Sequence, residues 1–415
     1  MLRQVGMIQT EAAQRSARRR FIAALGVGQI TCWGALYYSF PLLAEPMARE
    51  FGLSKPEIYA AATAGLAVAG VAAYPLGVAI DRGHGRAVMV GGAVLGAALL
   101  FALSWVETAW ALFPLFAGVG LAQAMTMYEP AFAVVARRFG AEARAGITAL
   151  TLWGGFASTV FAPLIQLLID LGGWRGALPA LAGLTLLCAA LPYALTVTPD
   201  RQTATPRPVK AQLAGRQAVG LGWALRRPAF WGLAAAFTSY YAVFSALTFH
   251  LYPLLLERGF DAVMVVAAIA IIGPAQVAGR LIIWAFADRR PIRAIGAVTV
   301  AGLPAAVLLL WLAPPGFAPL AAFAVLYGAA NGVMTIVRGL AVPEMLTNHA
   351  YGAINGALAA PSILAKAAAP LAAAYLWSAA GSYDAVLTAA LAGLAVAALS
   401  FWSAALCAPP DHSGT

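Results

Sequence analysis

Four ionisable side chains stand well inside apolar stretches of this sequence: Glu129, Arg280, Arg338 and Lys366. Each costs at least about 2.5–3.5 kcal/mol to place in hydrocarbon, so each needs a partner, water or a task. Arg280 lies in Gly273-Pro274-Ala275-Gln276-Val277-Ala278-Gly279-Arg280, where Pro274 and Gly279 leave the backbone room to bend. It sits about 10 Å from the end of its stretch at 1.5 Å per helical residue. A planar guanidinium at that depth can grip a carboxylate with two parallel hydrogen bonds; the alternative is snorkelling to the nearer surface. Lys366, in Ile363-Leu364-Ala365-Lys366-Ala367-Ala368-Ala369-Pro370, is near the middle of its stretch and too deep to snorkel. Its residue type leaves three roles open: an anion ligand, a partner for Glu129, or a neutral amine.

Glu129 in Tyr128-Glu129-Pro130 and Arg338 in Val337-Arg338-Gly339 occupy comparable points of the two halves of the chain. That placement suggests a facing pair, either a gate that closes in one state and breaks in another, with Glu129 as the intramembrane proton acceptor, or a static structural bridge. Gln29, Tyr37, Tyr38 and Tyr241, with Thr31, Trp33, Ser239, Tyr240 and Ser245, are polar or aromatic residues of the first and seventh stretches that could line a central cavity; tyrosine also serves as an interfacial belt residue. His250, close to the end of the seventh stretch, reads as a hydrogen-bonded structural residue, with proton relay as the other reading, and is not placed in the site.

The elements that must position these groups are membrane helices. Hydrophobic residues make up 62% of the 415 and charged residues only 10%, far from the usual soluble balance of about 25% charged. Apolar runs fall near 21–45, 56–80, 86–106, 109–136, 145–169, 175–198, 228–256, 262–287, 292–313, 317–342, 350–378 and 383–407, each long enough for a spanning helix of about 20 residues. The run from Phe21 is too long for a signal peptide and reads as an uncleaved first helix. Cys32, Cys188 and Cys407 fall in apolar segments without metal or disulfide spacing, and no phosphate loop or metal cluster suggests an enzyme or a bound cofactor.

The net charge of +10 follows topology rather than nucleic acid. Arginines gather at 15–20, at Arg82 and Arg86, at 137–144, at 201–227 and at 289–293, which are alternate loops; the loops between carry only Arg49, Lys55, Arg175 and Arg258. The positive-inside rule then puts both termini in the cytoplasm of a multi-pass inner-membrane protein. The expected organisation is a tail at 1–20, a six-helix bundle at 21–198, a basic linker at 199–227, a second bundle at 228–408 and a tail at 409–415. The halves repeat in order: Pro41-Leu42-Leu43-x-Glu45 with Pro253-Leu254-Leu255-x-Glu257, Asp81-Arg82 with Asp288-Arg289, Met125-Thr126 with Met334-Thr335, and Gly172-x-Trp174 with Gly381-x-Tyr383. Duplication of a six-helix unit explains this order.

The loop Gly77-Val78-Ala79-Ile80-Asp81-Arg82-Gly83-His84-Gly85-Arg86, with its weaker copy Ala287-Asp288-Arg289-Arg290, resembles the signature between helices 2 and 3 of the major facilitator superfamily. The resemblance covers nearly the whole chain. It implies an all-α protein of twelve transmembrane helices in two pseudo-symmetric six-helix bundles, acting as a functional monomer. Gly77, Asp81, Arg82, Arg86, Asp288 and Arg289 would then form conformational latches, since an Asp at a helix end can bond a basic loop and a neighbouring helix N-terminus; topology signalling alone is the other reading of the arginines.

The stretch from Val277 through Arg280 to Pro291-Ile292-Arg293 looks like helix 8 of monocarboxylate transporters and oxalate/formate antiporters, in which the matching arginine binds substrate carboxylate. Lys366 is similar to the helix 11 lysine of the antiporters. The first helix departs from the monocarboxylate pattern: Gly26-Val27-Gly28-Gln29-Ile30-Thr31-Cys32-Trp33-Gly34 carries no acid. The resemblance implies alternating-access transport of a small mono- or dicarboxylate, coupled to a proton or a counter-anion. The other reading is efflux of hydrophobic drugs or of neutral toxicants such as metalloid compounds.

Overall fold

The computed structural model describes residues 2–139, 143–197, 221–286, 290–312, 314, 316–347 and 351–408, and every regular element among them is helical. In chain order these are α1 (Leu2–Cys32), a π turn (Trp33–Tyr38), α2 (Phe40–Phe51), α3 (Lys55–Ala79), α4 (Gly85–Leu103), α5 (Leu112–Thr126), α6 (Tyr128–Phe139), α7 (Ala143–Gly155), α8 (Ala157–Thr185) and α9 (Leu191–Thr196). Then follow α10 (Leu221–Ala224), α11 (Pro228–Glu257), α12 (Ala262–Phe286), α13 (Ile292–Leu312), α14 (Phe317–Met345), α15 (Tyr351–Ala380) and α16 (Asp384–Cys407). Residues 199–220 of the basic linker, Asp288 and Arg289 of the second latch copy, and the tail 409–415 lie outside the described residues.

Ten helical stretches among the described residues are long and apolar enough to cross a bilayer. Two of them, Lys55–Leu103 and Ala145–Thr196, have 49 and 52 residues. Straight, each would measure about 75 Å, over twice a hydrocarbon core of about 30 Å. Each contains a glycine with left-handed backbone near its middle, Gly83 at φ 94° and Gly173 at φ 67°, where one helix stops and the next sets off in a new direction. Divided there, the ten stretches become twelve of spanning length. Val71, Leu171, Leu195 and Leu406 are exposed on these helices, apolar surface suited to a lipid surrounding.

By its contacts the chain divides into two units, Met1–Ser39 with Val68–Thr205 and Phe40–Ala67 with Pro206–Thr415. Phe40–Ala67 falls in the second of these units. The reason is aromatic: the Phe40 ring meets Tyr59 at 5.3 Å and Phe249 of α11 at 5.4 Å.

The four basic residues in the arginine-poor loops all have partners. Arg175 donates to the carbonyls of Ser104 at 2.8 Å and Val106 at 2.6 Å, at the end of α4. Arg258 does the same for Leu310 and Trp311 at the end of α13, at 3.0 and 2.9 Å, and pairs with Asp384 at 3.0 Å. Each arginine thus satisfies orphan carbonyls at a helix C-terminus, where positive charge is also favoured. Arg49 pairs with Glu45 one turn away at 3.3 Å, and Lys55 lies 3.5 Å from the centre of the Trp377 ring.

Candidate functional site

In the second unit, Arg280 is held where α12 and α14 come unusually close. Gly279 faces the backbone of Ala329, Gly328 faces that of Ile272, and Gly332 faces that of Gln276, each with no room for a Cβ. Small residues four apart let two helix backbones touch, and that contact brings the Arg280 Nε within 3.4 Å of the Gly332 carbonyl. The side chain is only 8% exposed, so it is enclosed by protein instead of snorkelling to a surface. Beside Gly332, the buried Asn331 accepts the Tyr240 hydroxyl at 2.8 Å and donates to the Tyr327 carbonyl at 2.8 Å. Asn331 was not singled out from sequence; the spacing Gly328-x-x-x-Gly332 around it was the available signal.

Arg338, half-buried on α14, lies over two rings of α11, 5.5 Å from Tyr241 and 5.8 Å from Phe237. Its Nε is buried with no hydrogen-bond partner among the described residues. Aromatic faces hold a guanidinium without neutralising it.

Lys366 is half-buried on α15, four residues before Pro370, which has no N–H to return to the Lys366 carbonyl. Ser245 of α11 supplies the missing donor at 2.7 Å. The same device recurs on α11, where Pro253 leaves the Phe249 carbonyl free and Tyr59 donates to it at 2.9 Å. Ser245 thus ties α11 to α15 at the carbonyl of Lys366.

In the first unit the helix through Trp33–Tyr38 is wound as a π turn, a form that concentrates at functional sites. It places Trp33 against Tyr37 at 5.2 Å and against Tyr128 at 5.0 Å, with Tyr38 5.4 Å from Tyr37. Tyr37 is buried and Tyr38 half-buried. Gln29 exposes no surface and ties α1 to a chain break, donating to the Thr126 carbonyl at 2.7 Å and lying 3.3 Å from the Tyr193 hydroxyl. The break is at Met127, whose backbone is extended (ψ −157°), so the stretch 109–136 read from sequence as one helix is two. Pro130 sits in the first turn of α6, where its missing N–H costs nothing. Glu129 is exposed in that same turn, and the positive end of α6 offsets part of the cost of its charge.

At the signature loop, Arg137 of α6 donates to the backbone carbonyl of Asp81, while Asp81, Arg82 and Arg86 point outward and Gly77 is half-buried on α3. The reversal at Gly83 is thereby tied to α6.

Ten apolar helical stretches of spanning length, two of them reversed at glycines, define a polytopic membrane protein. The chain matches the family model of the Major Facilitator Superfamily over residues 25–358 and belongs to that superfamily. Among curated proteins it is similar to human monocarboxylate transporter 11, at 31% identity over 72% of this chain and 57% of that protein, and to the mouse form at 29% over 72% and 60%. It thus spans about 60% of the length of these relatives. Bovine monocarboxylate transporter 13 is 28% identical over 88% of this chain and 82% of its own length. Among solved structures, a mutant of the nucleoside transporter NupG superposes with a TM-score of 0.70 at 16% identity, covering 94% of this chain and 99% of that one. A bacterial homologue of the human lysosomal transporter Spinster, inward-facing and unoccupied, gives 0.69 at 14% identity, covering 94% and 97%. At these identities the structures speak for the fold.

Proposed function

We propose that this transporter carries a small organic anion, a mono- or dicarboxylate, across the cytoplasmic membrane by alternating access, coupled to a proton or a counter-anion. The observation that carries the reading is the enclosure of Arg280 between α12 and α14 with its guanidinium against the Gly332 carbonyl. A guanidinium enclosed in this way can act as an anion receptor, because its planar fork matches the two oxygens of a carboxylate. Lys366, on α15 of the same unit, is the second cation, and the names of the similar monocarboxylate transporters agree with this substrate class. Tyr37, Tyr38, Tyr241 and Gln29 complete the substrate-binding set, the tyrosines by contact and Gln29 by holding the break before Glu129.

Glu129 takes the proton, and Arg338, resting on its rings, is its partner in one state of the cycle. Gly77, Asp81, Arg82, Arg86, Asp288 and Arg289 are the conformational latches on the cytoplasmic side. One observation favours a second reading: the Trp33, Tyr37, Tyr38 and Tyr128 cluster is a surface suited to an apolar or neutral solute, as in efflux. Uptake of labelled mono- and dicarboxylates into proteoliposomes, with and without a pH gradient, decides between them. Anion uptake that disappears in Arg280→Ala and in Lys366→Ala supports the anion carrier. No anion uptake, together with movement of hydrophobic or metalloid solutes, replaces it with efflux.

A further inference from the structure

At the arginine-poor end of the second unit the first turns of α3 bring Lys55 and Tyr59 onto α11 and the α15–α16 junction. The Lys55 ammonium lies 3.5 Å from the centre of the Trp377 ring and 4.7 Å from that of Tyr383, and 3.3 Å from the Tyr383 hydroxyl. That hydroxyl is 2.9 Å from His250 Nδ1, and His250 Nε2 is 2.8 Å from the Pro370 carbonyl. Tyr59 stacks on the imidazole at 4.0 Å, the planes 13° apart. His250 exposes no surface.

The proton positions in this chain follow from what each group can do. A carbonyl only accepts, so the ring proton is on Nε2, and Nδ1 accepts from Tyr383. Burial pushes the Tyr383 phenol far above its ordinary range, so it keeps the proton it donates, and Lys55 donates to its oxygen. The chain Lys55 to Tyr383 to His250 to Pro370 is complete only for a neutral imidazole. A second ring proton turns the Tyr383 hydroxyl away and brings another positive charge toward Lys55. The hydrogen bonds of the nearby acids are directed elsewhere: Glu257 accepts from the Trp377 indole N–H at 2.6 Å and the Tyr383 amide at 2.9 Å, Glu45 pairs with Arg49, and Asp384 pairs with Arg258, while the two imidazole nitrogens face Tyr383 and Pro370. Beside the network a cavity of about 370 Å³, lined by Glu45, Arg49, Lys55, Tyr59, Pro253 and Trp377, leaves a route for water.

We propose that His250 is a proton-binding site that couples the extracytoplasmic side to opening: it is neutral while Lys55 and Tyr59 are docked, and it takes up a proton when they leave. By linkage, a proton that binds the undocked form more tightly than the docked one drives undocking as pH falls through the histidine range, near 6.5 for a solvated ring. This rests on the alternating-access reading but not on the identity of the solute.

The test is a pair of spin labels at Glu50→Cys and Val263→Cys in the full chain with Cys32, Cys188 and Cys407 replaced by Ala, reconstituted in lipid, with distances measured by pulsed EPR from pH 8 to pH 5. The expected result is a longer-distance population that grows as pH falls, loses its pH dependence in His250→Gln, and has its midpoint raised by about one unit in Tyr383→Phe, the effect of one buried hydrogen bond. An unchanged pH response in His250→Gln, an unchanged midpoint in Tyr383→Phe, or a mixture of distances independent of pH overturns the proton site alone. A single short distance at every pH in every variant overturns it together with alternating access.

Discussion

Each charge inside this protein is tolerated for a different local reason, and those reasons set what substitution should do. Arg280 is backed by a glycine carbonyl, so Arg280→Lys keeps the charge but loses the fork; anion uptake should fall at least about tenfold, read as initial rate in proteoliposomes. Glu129 sits in the first turn of α6. Glu129→Gln should leave the fold intact and flatten the pH dependence of uptake; an unaltered pH profile removes it from the proton path. Ser245 is the donor to the carbonyl that Pro370 leaves free. Ser245→Ala should destabilise by about 1–3 kcal/mol through the unsatisfied carbonyl, seen as a lower Tm in detergent.

The helices are shaped by where their hydrogen bonds or helical dihedrals are interrupted. Gly83 and Gly173 reverse the two longest stretches, Met127 splits another, and Trp33–Tyr38 is underwound into a π turn. The crossing of α12 and α14 depends on Gly279, Gly328 and Gly332 meeting backbone. Gly332→Leu has nowhere to put its side chain, so we expect the two helices to part, at a cost of about 1–3 kcal/mol, with Arg280 losing its carbonyl and transport lost; a thermal shift and an uptake assay on the same sample check both. Sequence periodicity placed α11 through α16 closely, because each of those apolar runs is bounded by charge, Gly or Pro. It missed the break at Met127, because no residue there is a helix breaker; the signal was Pro130, three residues on.

Over the whole molecule, the uneven distribution of arginine predicts orientation. A thiol placed at Arg226 should react with impermeant reagents only from the cytoplasmic side, and one at Ser382 only from the opposite side, in intact and inverted vesicles; the reverse pattern would invert the topology. The four basic residues that break the charge bias, Arg49, Lys55, Arg175 and Arg258, are committed to structural contacts in this fold, which explains why they persist on the arginine-poor side. Composition, the spacing of apolar runs, the repeat and the signature loop by themselves determined the class of protein, because hydrocarbon admits few backbone solutions and each writes its length into the chain. They also marked Glu129, Arg280, Arg338 and Lys366, since a charge in an apolar run stands out in any sequence. What only the tertiary structure decided is what those charges and prolines touch: the glycine seam behind Arg280, the rings under Arg338, the Ser245 donor at the Pro370 kink, and the docking of Phe40–Ala67 through Tyr59 and His250. These join residues far apart in the chain, and their partners are backbone carbonyls and ring faces, which carry no residue-type signal to be read in advance.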